Sequence, residues 1–204
     1  MIEIVLLHKH SHLSNIILPD SVVTNEDYAK RAVELGQKVL SSCEHGTPGA
    51  YRECYDLAKK YNLRWRYAME AYFVRDRFSQ DRTNAHLLIA AKTEKGMYDL
   101  NEVFSESNIT GYYYRPRVDL DLLMKLDPKD VFITTACIAG VWQYGFDKET
   151  GKYDWKEPDA LIRQLHSHFG DSMKLEVQYH DVDRQKTVNE HILKLYRDEG
   201  IGTS

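Results

Sequence analysis

Apolar and amphipathic runs take turns along this chain. The segment "IEIVLLH" (residues 2–8) is apolar enough for a buried strand, and "TNEDYAKRAVELG" (24–36) places Tyr28, Ala32 and Leu35 at helical spacing. The second run opens with a Thr-x-x-Asp start of capping-box type and stops at Gly36. The pattern then predicts a strand "KVLSSC", a helix "PGAYRECYDLAKKYN" with Pro48 near its first turn, strands "RWRYAMEAYFV" and "AHLLIAAK", and a helix "EKGMYDLNEVFSES". A loop crowded with Tyr and Arg, "GYYYRPRVD", leads into a short helix "LDLLMKL" and a strand "DVFITTAC". The remainder reads as helix "DALIRQLHSHF", strand "MKLEVQYH" and helix "DRQKTVNEHILKLYRDEG".

Strands alternating with helices predict an α/β fold with a mainly parallel sheet, open or closed into a barrel. One connection breaks that rule. Only "RDRFSQDRTN" separates "AYFV" from "AHLLIAAK", too short for a parallel crossover, so these two strands are expected to pair antiparallel.

At 204 residues, 43% hydrophobic and 28% charged, the chain suits one globular domain spanning residues 1–204. A net charge of −4 argues against a whole-surface grip on nucleic acid and leaves room for a local basic groove. No apolar run has bilayer length and no signal-peptide pattern opens the chain, so a cytoplasmic location without membrane association is expected. Three scattered cysteines fit that reducing compartment.

The candidate chemistry lies at strand ends. In "HKHSH", His8, His10 and His12 alternate, so an extended backbone turns them to one side. In parallel α/β folds, functional groups gather at the carboxyl ends of strands. There the first strand carries His8 and His10, the second Glu44 and His45, the third Glu70, the fifth Cys137 and the sixth His180. His86 starts its run, and the antiparallel pairing brings it to the same end. Each residue alone has a plainer reading: His45 as a turn residue, Glu70 as a buried carboxylate paired with Arg64 or Arg66, Cys137 as core. Their convergence on one end of the sheet favours a metal site. His166 and His168 read as a solvated helix face and His191 as structural. Tyr112, Tyr113 and Tyr114 could stack on bases, but packing under a loop is the preferred reading.

These motifs, in this order, resemble the PHP (polymerase and histidinol phosphatase) domain found at the N-terminus of bacterial replicative DNA polymerase III alpha subunits. "HKHSHLS" is similar to the family's H-x-H-S opening, "CEHG" to T-D-H-G, and "YAMEAY" to G-C-E-A-Y. "AHLLIAAKTEKGMYDL", "GYYYRPRVDLDLL", "TTACIAG" and "LEVQYH" follow in register, and the "YYYRPRVDLDLL" block favours the polymerase branch. The resemblance implies a distorted seven-stranded TIM-like (β/α) barrel with up to three divalent metal ions at one end. It implies the metal ligands His8, His10, Asp20, His45, Glu70, His86 and Cys137, with Glu70 as a bridge. His12 falls at a variable family position and is left out.

Two departures stand out. Extra residues "NIILP" precede Asp20, and the family's final N-D-x-H motif is expected beyond "GIGTS", so the last barrel strand is expected to be truncated. His180 is the local substitute ligand. A set of histidines, carboxylates and one thiolate suits Zn, Mn or Fe better than Mg. The implied activity is metal-dependent phosphoester hydrolysis, as 3′–5′ exonuclease proofreading in the polymerase branch. Implied partners are DNA, as substrate of the parent polymerase, and other polymerase domains or replisome subunits. The alternatives are a non-catalytic structural module of the polymerase and a stand-alone histidinol-phosphatase-like enzyme.

Overall fold

A computed structural model describes residues 7–16 and 21–204. Six strands form one sheet: β1 (Val39–Ser42), β2 (Arg64–Phe73), β3 (Ala85–Ala91), β4 (Arg117–Val118), β5 (Val131–Thr134) and β6 (Met173–Lys174). They are ordered β1-β2-β3-β5-β6, with the short β4 also pairing with β2. Helices α1 (Asn25–Glu34), α2 (Tyr51–Lys60), α3 (Glu94–Ile109), α4 (Leu120–Leu123), α5 (Lys156–Phe169) and α6 (Asp183–Glu199) alternate with the strands as the sequence pattern predicts. Among the described residues no helix is long and apolar enough to cross a membrane.

The short connection between β2 and β3 decides the topology. The two strands pair antiparallel, with Tyr72 opposite His86 and Glu70 opposite Leu88. β3 also runs antiparallel to β5, whereas the β1–β2, β2–β4 and β5–β6 pairs are parallel. Reversing β3 brings its first residues to the carboxyl end of β2, which is where His86 was expected.

The expected closed seven-stranded barrel is not what the described residues form: their sheet has six strands and is open. Residues 202–204 extend it alongside β6, since Leu175 N donates to Gly202 O and Ser204 N to Leu175 O. At the other edge the Ser41 hydroxyl donates to Leu7 O at 2.9 Å. The expected first strand, residues 2–8, lies outside the described residues except for Leu7 and His8.

The period-2 alternation of β2 and β3 sorts two layers. Met69, Ala71, Phe73, Leu87 and Ile89 face α3–α6 and join the main core with Leu100, Ile133, Trp142, Leu165, Phe169 and Ile192. Burial of each large side chain there contributes roughly 1.5–3 kcal/mol. The opposite face carries a small floor of Cys43, Ala68, Leu88 and Ala90, with Leu7 packed on it. Glu70 lies on this second face. At the entrance to α1, Thr24 and Asp27 form a reciprocal capping box, stabilising the helix by about 1 kcal/mol.

Candidate metal centre

Glu70 sits near the end of β2, 1% exposed, and imidazoles surround it. His8 Nε2 lies 3.2 Å from Oε1, and His86 Nδ1 is also 3.2 Å from Oε1. On the other oxygen, His45 Nδ1 is 2.5 Å and His10 Nε2 3.4 Å from Oε2. Among the described residues these are the groups at ion-pair distance from Glu70, so the arginine partnership open from sequence does not form. Despite the short distances, neither Glu70 oxygen receives a hydrogen bond of good angle. His8 Nε2 and His10 Nε2 also face each other at 3.1 Å, close enough for one ring to donate to the other or for both lone pairs to meet one cation. Two groups result, His8–His10–Glu70 and His45–Glu70–His86, with Glu70 common to both.

Local structure explains each position. His8 and His10 both reach Glu70, while Lys9 between them is turned elsewhere, its Nζ donating to Asn25 Oδ1 at 2.5 Å. The alternation ends at His12, which is exposed and starts a 3₁₀ turn (His12–Ile16). Glu44 pins this loop: its carboxylate accepts from Ser11 N, Ser11 Oγ and Ser14 Oγ at 3.0, 2.5 and 2.5 Å. His45 and Glu70 are bridged across the parallel β1–β2 extension, with Glu70 N donating to Glu44 O and Gly46 N to Glu70 O. Gly46 is required there. Its φ is +57°, and a Cβ would sit 2.5 Å from the Tyr72 ring.

The fifth expected contributor arrives differently. β5 ends at Thr134, and Cys137 comes from the following turn, where Ala136 adopts a left-handed φ of 52°. That turn is tied to β3 by His86 N donating to Ala139 O, leaving Cys137 Sγ 3.9 Å from His86 Nδ1.

Glu176 was missed by sequence reasoning. Its Oε1 is 2.6 Å from His8 Nδ1, while Thr134 Oγ1 donates to its Oε2 at 2.5 Å. Gln178 donates to Glu176 Oε1 at 2.6 Å, and His180 Nε2 lies 3.0 Å from Gln178 Oε1. The signal was the alternation in "LEVQYH", which turns Glu176, Gln178 and His180 to one side.

Electrostatics follows from this geometry. Burial pushes the Glu70 carboxyl up, but the imidazoles of His45, His8 and His86 together hold it well below the usual carboxylate range. Burial works against a charged His8, yet Glu176 and Glu70 raise its pKa to about 10. Burial, with the Glu70 charge, pushes the Cys137 thiol up to about 12. The whole group lines a cavity of about 900 Å³ that also includes Gln178, Tyr179 and His180.

A PHP domain profile matches residues 7–180. The chain belongs to the PHP domain family. This PHP domain is 28% identical to the DNA polymerase III subunit alpha of Aquifex aeolicus over 95% of the chain, and 31% identical to that of Deinococcus radiodurans over 96%. It spans 17% and 15% of the length of those two relatives. Its fold is similar to a proposed metal-dependent phosphoesterase from Bifidobacterium adolescentis, with TM-score 0.58, 12% identity, and coverage of 97% of this chain and 85% of that one. It is also similar to an amidohydrolase from Chromobacterium violaceum solved with sulfate and no metal, with TM-score 0.50, 14% identity, and coverage of 96% and 84%.

The structure of the PHP domain thus brings His8, His10, His45, Glu70 and His86 together, with Cys137 beside His86. Asp20 lies outside the described residues. His180 lines the same cavity but is separated from the cluster by Gln178. His191 is structural, stacked on Trp155 at 3.9 Å and within 2.7 Å of Asp159 Oδ1. The tyrosine cluster departs from the preferred packing reading, because Tyr112 and Tyr114 are 62% and 60% exposed.

Proposed function

We propose that this PHP domain is a divalent-metal-dependent phosphoesterase and the N-terminal domain of a replicative DNA polymerase alpha subunit. The observation that supports this reading is Glu70, whose two buried oxygens are shared between two histidine groups without receiving a well-angled hydrogen bond. That arrangement fits cations better than protons. The ligand set is His8, His10, His45, Glu70, His86 and Cys137, with Asp20 as a further member. Its nitrogen- and sulfur-rich character favours Zn, Mn or Fe over Mg.

When bound, such ions supply Lewis acidity, activating a water at neutral pH and neutralising charge on the reacting phosphate oxygens. The chain's own residues prepare the site. Glu176 fixes the orientation of His8 through Nδ1, leaving Nε2 for the centre. Ser14 lies 3.2 Å from His10 Nδ1 and does the same for that ring. Cys137 and His86 are held as a pair by the 137–140 turn.

The proposal extends to residues 1–204 forming one domain of the distorted, TIM-like PHP type. It also extends to a cytoplasmic replication context, with DNA as substrate of the parent polymerase, 3′–5′ exonuclease action, and replisome proteins as neighbours. The test is elemental analysis of the purified chain beside the H8A/H10A double variant, followed by hydrolysis of a phosphodiester. One or more Zn, Mn or Fe ions per chain, lost in the variant together with turnover, supports the reading. A folded chain that takes up none of these ions overturns it in favour of a structural module. Turnover of histidinol phosphate but not of a diester points to the stand-alone phosphatase.

A further inference from the structure

Beside the metal centre lies a second concavity. It is a notch of about 350 Å³ lined by Arg82, Asn84, Tyr113, Tyr114, Arg115 and Arg117. Two loops form it, the β2–β3 connection and the segment before β4, and Arg117 locks them together. That guanidinium, 3% exposed, is used entirely on main-chain carbonyls: Gly111 O at 2.8 Å, Asp81 O at 2.9 Å and Arg77 O at 2.6 Å. The buried Arg77–Asp119 pair, 2.7 Å apart, reinforces the same base. The notch therefore has a rigid floor although both segments are loops.

Its rim is chemically distinct. Arg82 lies over the Tyr114 ring at 3.7 Å and donates to the Tyr114 hydroxyl. Arg115 lies over the Tyr72 ring at 4.6 Å. The ion pairs of this region are Arg75–Glu157 and Arg77–Asp119, and among the described residues Arg82 and Arg115 belong to none. Two uncompensated guanidinium groups in a chain of net charge −4 form a local positive site. Each is backed by an aromatic ring, and Tyr114 keeps three-fifths of its surface in solvent. The direction is fixed by Tyr72, whose ring centre is 5.4 Å from that of His86 and 6.2 Å from that of His45. Arg115 thus stands next to the metal centre, with Tyr114 and Arg82 beyond it.

We infer that this notch is a nucleotide-binding subsite for a single-stranded nucleic acid chain, with Arg115 and Arg82 contacting phosphates and Tyr114 stacking on a base. The inference rests on the phosphoesterase reading and adds to it the residues that seat a nucleotide beside the phosphodiester, on the Tyr72 side of Glu70. A guanidinium matches a phosphate bidentately, and an exposed aromatic ring accepts any base, so the contact is sequence-tolerant. A small phosphomonoester needs neither.

The test is binding of a fluorescein-labelled oligothymidylate to the whole chain by fluorescence anisotropy, in chelator, so that metal plays no part. An abasic chain of equal length serves as comparison. Expected results are tighter binding of oligothymidylate than of the abasic chain, and a loss of roughly five- to hundredfold in Y114L that removes this difference. R82A and R115A are each expected to lower the salt slope of log K by about 0.7. The three positions are exposed or half-buried, so unchanged thermal midpoints check that the variants fold. Equal binding of the abasic chain, or affinities unchanged in all three variants, overturns the inference without touching the metal reading. Absence of metal in the elemental analysis, with oligothymidylate binding intact, overturns the metal reading alone.

Discussion

His8 and Glu176, 168 positions apart in sequence, meet through a 2.6 Å contact between Nδ1 and Oε1. The contact orients one candidate ligand and charges it. It also joins the N-terminal loop to the strand region after β6, at opposite ends of the described sheet.

Replacing Glu176 with Gln keeps the shape of this partner but removes its charge. Outer-shell partners of this type are worth about 10–100-fold in metal affinity. E176Q is expected to bind Zn with an affinity lower by about that factor while unfolding cooperatively like the parent. Competition with a chromophoric chelator measures it, and an unchanged affinity rules out the orienting role.

Removing the shared carboxylate has a different signature. Because Glu70 belongs to both histidine groups, E70Q is expected to lower the number of bound ions per chain, with the remaining ion held more weakly. Mass spectrometry under non-denaturing conditions counts the ions directly. Full stoichiometry in E70Q would contradict a bridging role.

The metal-free protein has a definite pH response. His8 is raised from 6.5 to about 10 by Glu176 and Glu70 against the cost of burial, so its contribution is complete below 6.5 and is lost as pH climbs to about 10. Glu70 is held well below its ordinary 4.5, so its contribution is present above 4.5 and is lost as pH falls through the depressed value. Metal binding displaces the His8 proton and strengthens as pH rises. Thermal midpoints in chelator should fall between pH 6.5 and 10, and those with metal should fall less. Parallel curves would refute this coupling.

Gly46→Ala tests the backbone behind His45. The left-handed φ costs a side-chain residue about 1–2 kcal/mol, and the new methyl would meet the Tyr72 ring at 2.5 Å. Denaturant unfolding is expected to show a loss of at least about 1 kcal/mol, with weaker metal uptake as His45 shifts. A neutral result would mean that the ring moves away freely.

How legible the fold was depended on the kind of signal. The reversal of β3 followed from connection length alone, because ten residues cannot carry a parallel crossover. That single inference correctly moved His86 to the end where Glu70 lies. The Thr24–Asp27 capping box was equally local and is present. Contacts between distant segments were harder. Nothing near Glu176 in sequence says that His8 will lie 2.6 Å away, although the alternation of Glu176, Gln178 and His180 was there to be used. Cys137 read as a strand end and sits on a tight turn, because the left-handed Ala136 leaves no pattern in residue type. Tyr112 and Tyr114 misled because aromatic clusters usually mean burial, whereas here the buried Arg117 holds the loop through main-chain carbonyls and both rings stay exposed.

The two-sided character of β2 has a consequence for how the chain finds its native pairing. Met69 and Glu70 are adjacent and point to opposite layers, one among α3–α6 and the other among imidazoles. A slip of β2 by one residue would exchange them, driving a carboxylate into hydrocarbon and a thioether among histidines. Burying an unpaired carboxylate costs several kcal/mol, so the mis-registered sheet is penalised twice by one displacement. Glu70 is thereby a register lock, and the chemistry of the site guards the assembly of the sheet that holds it.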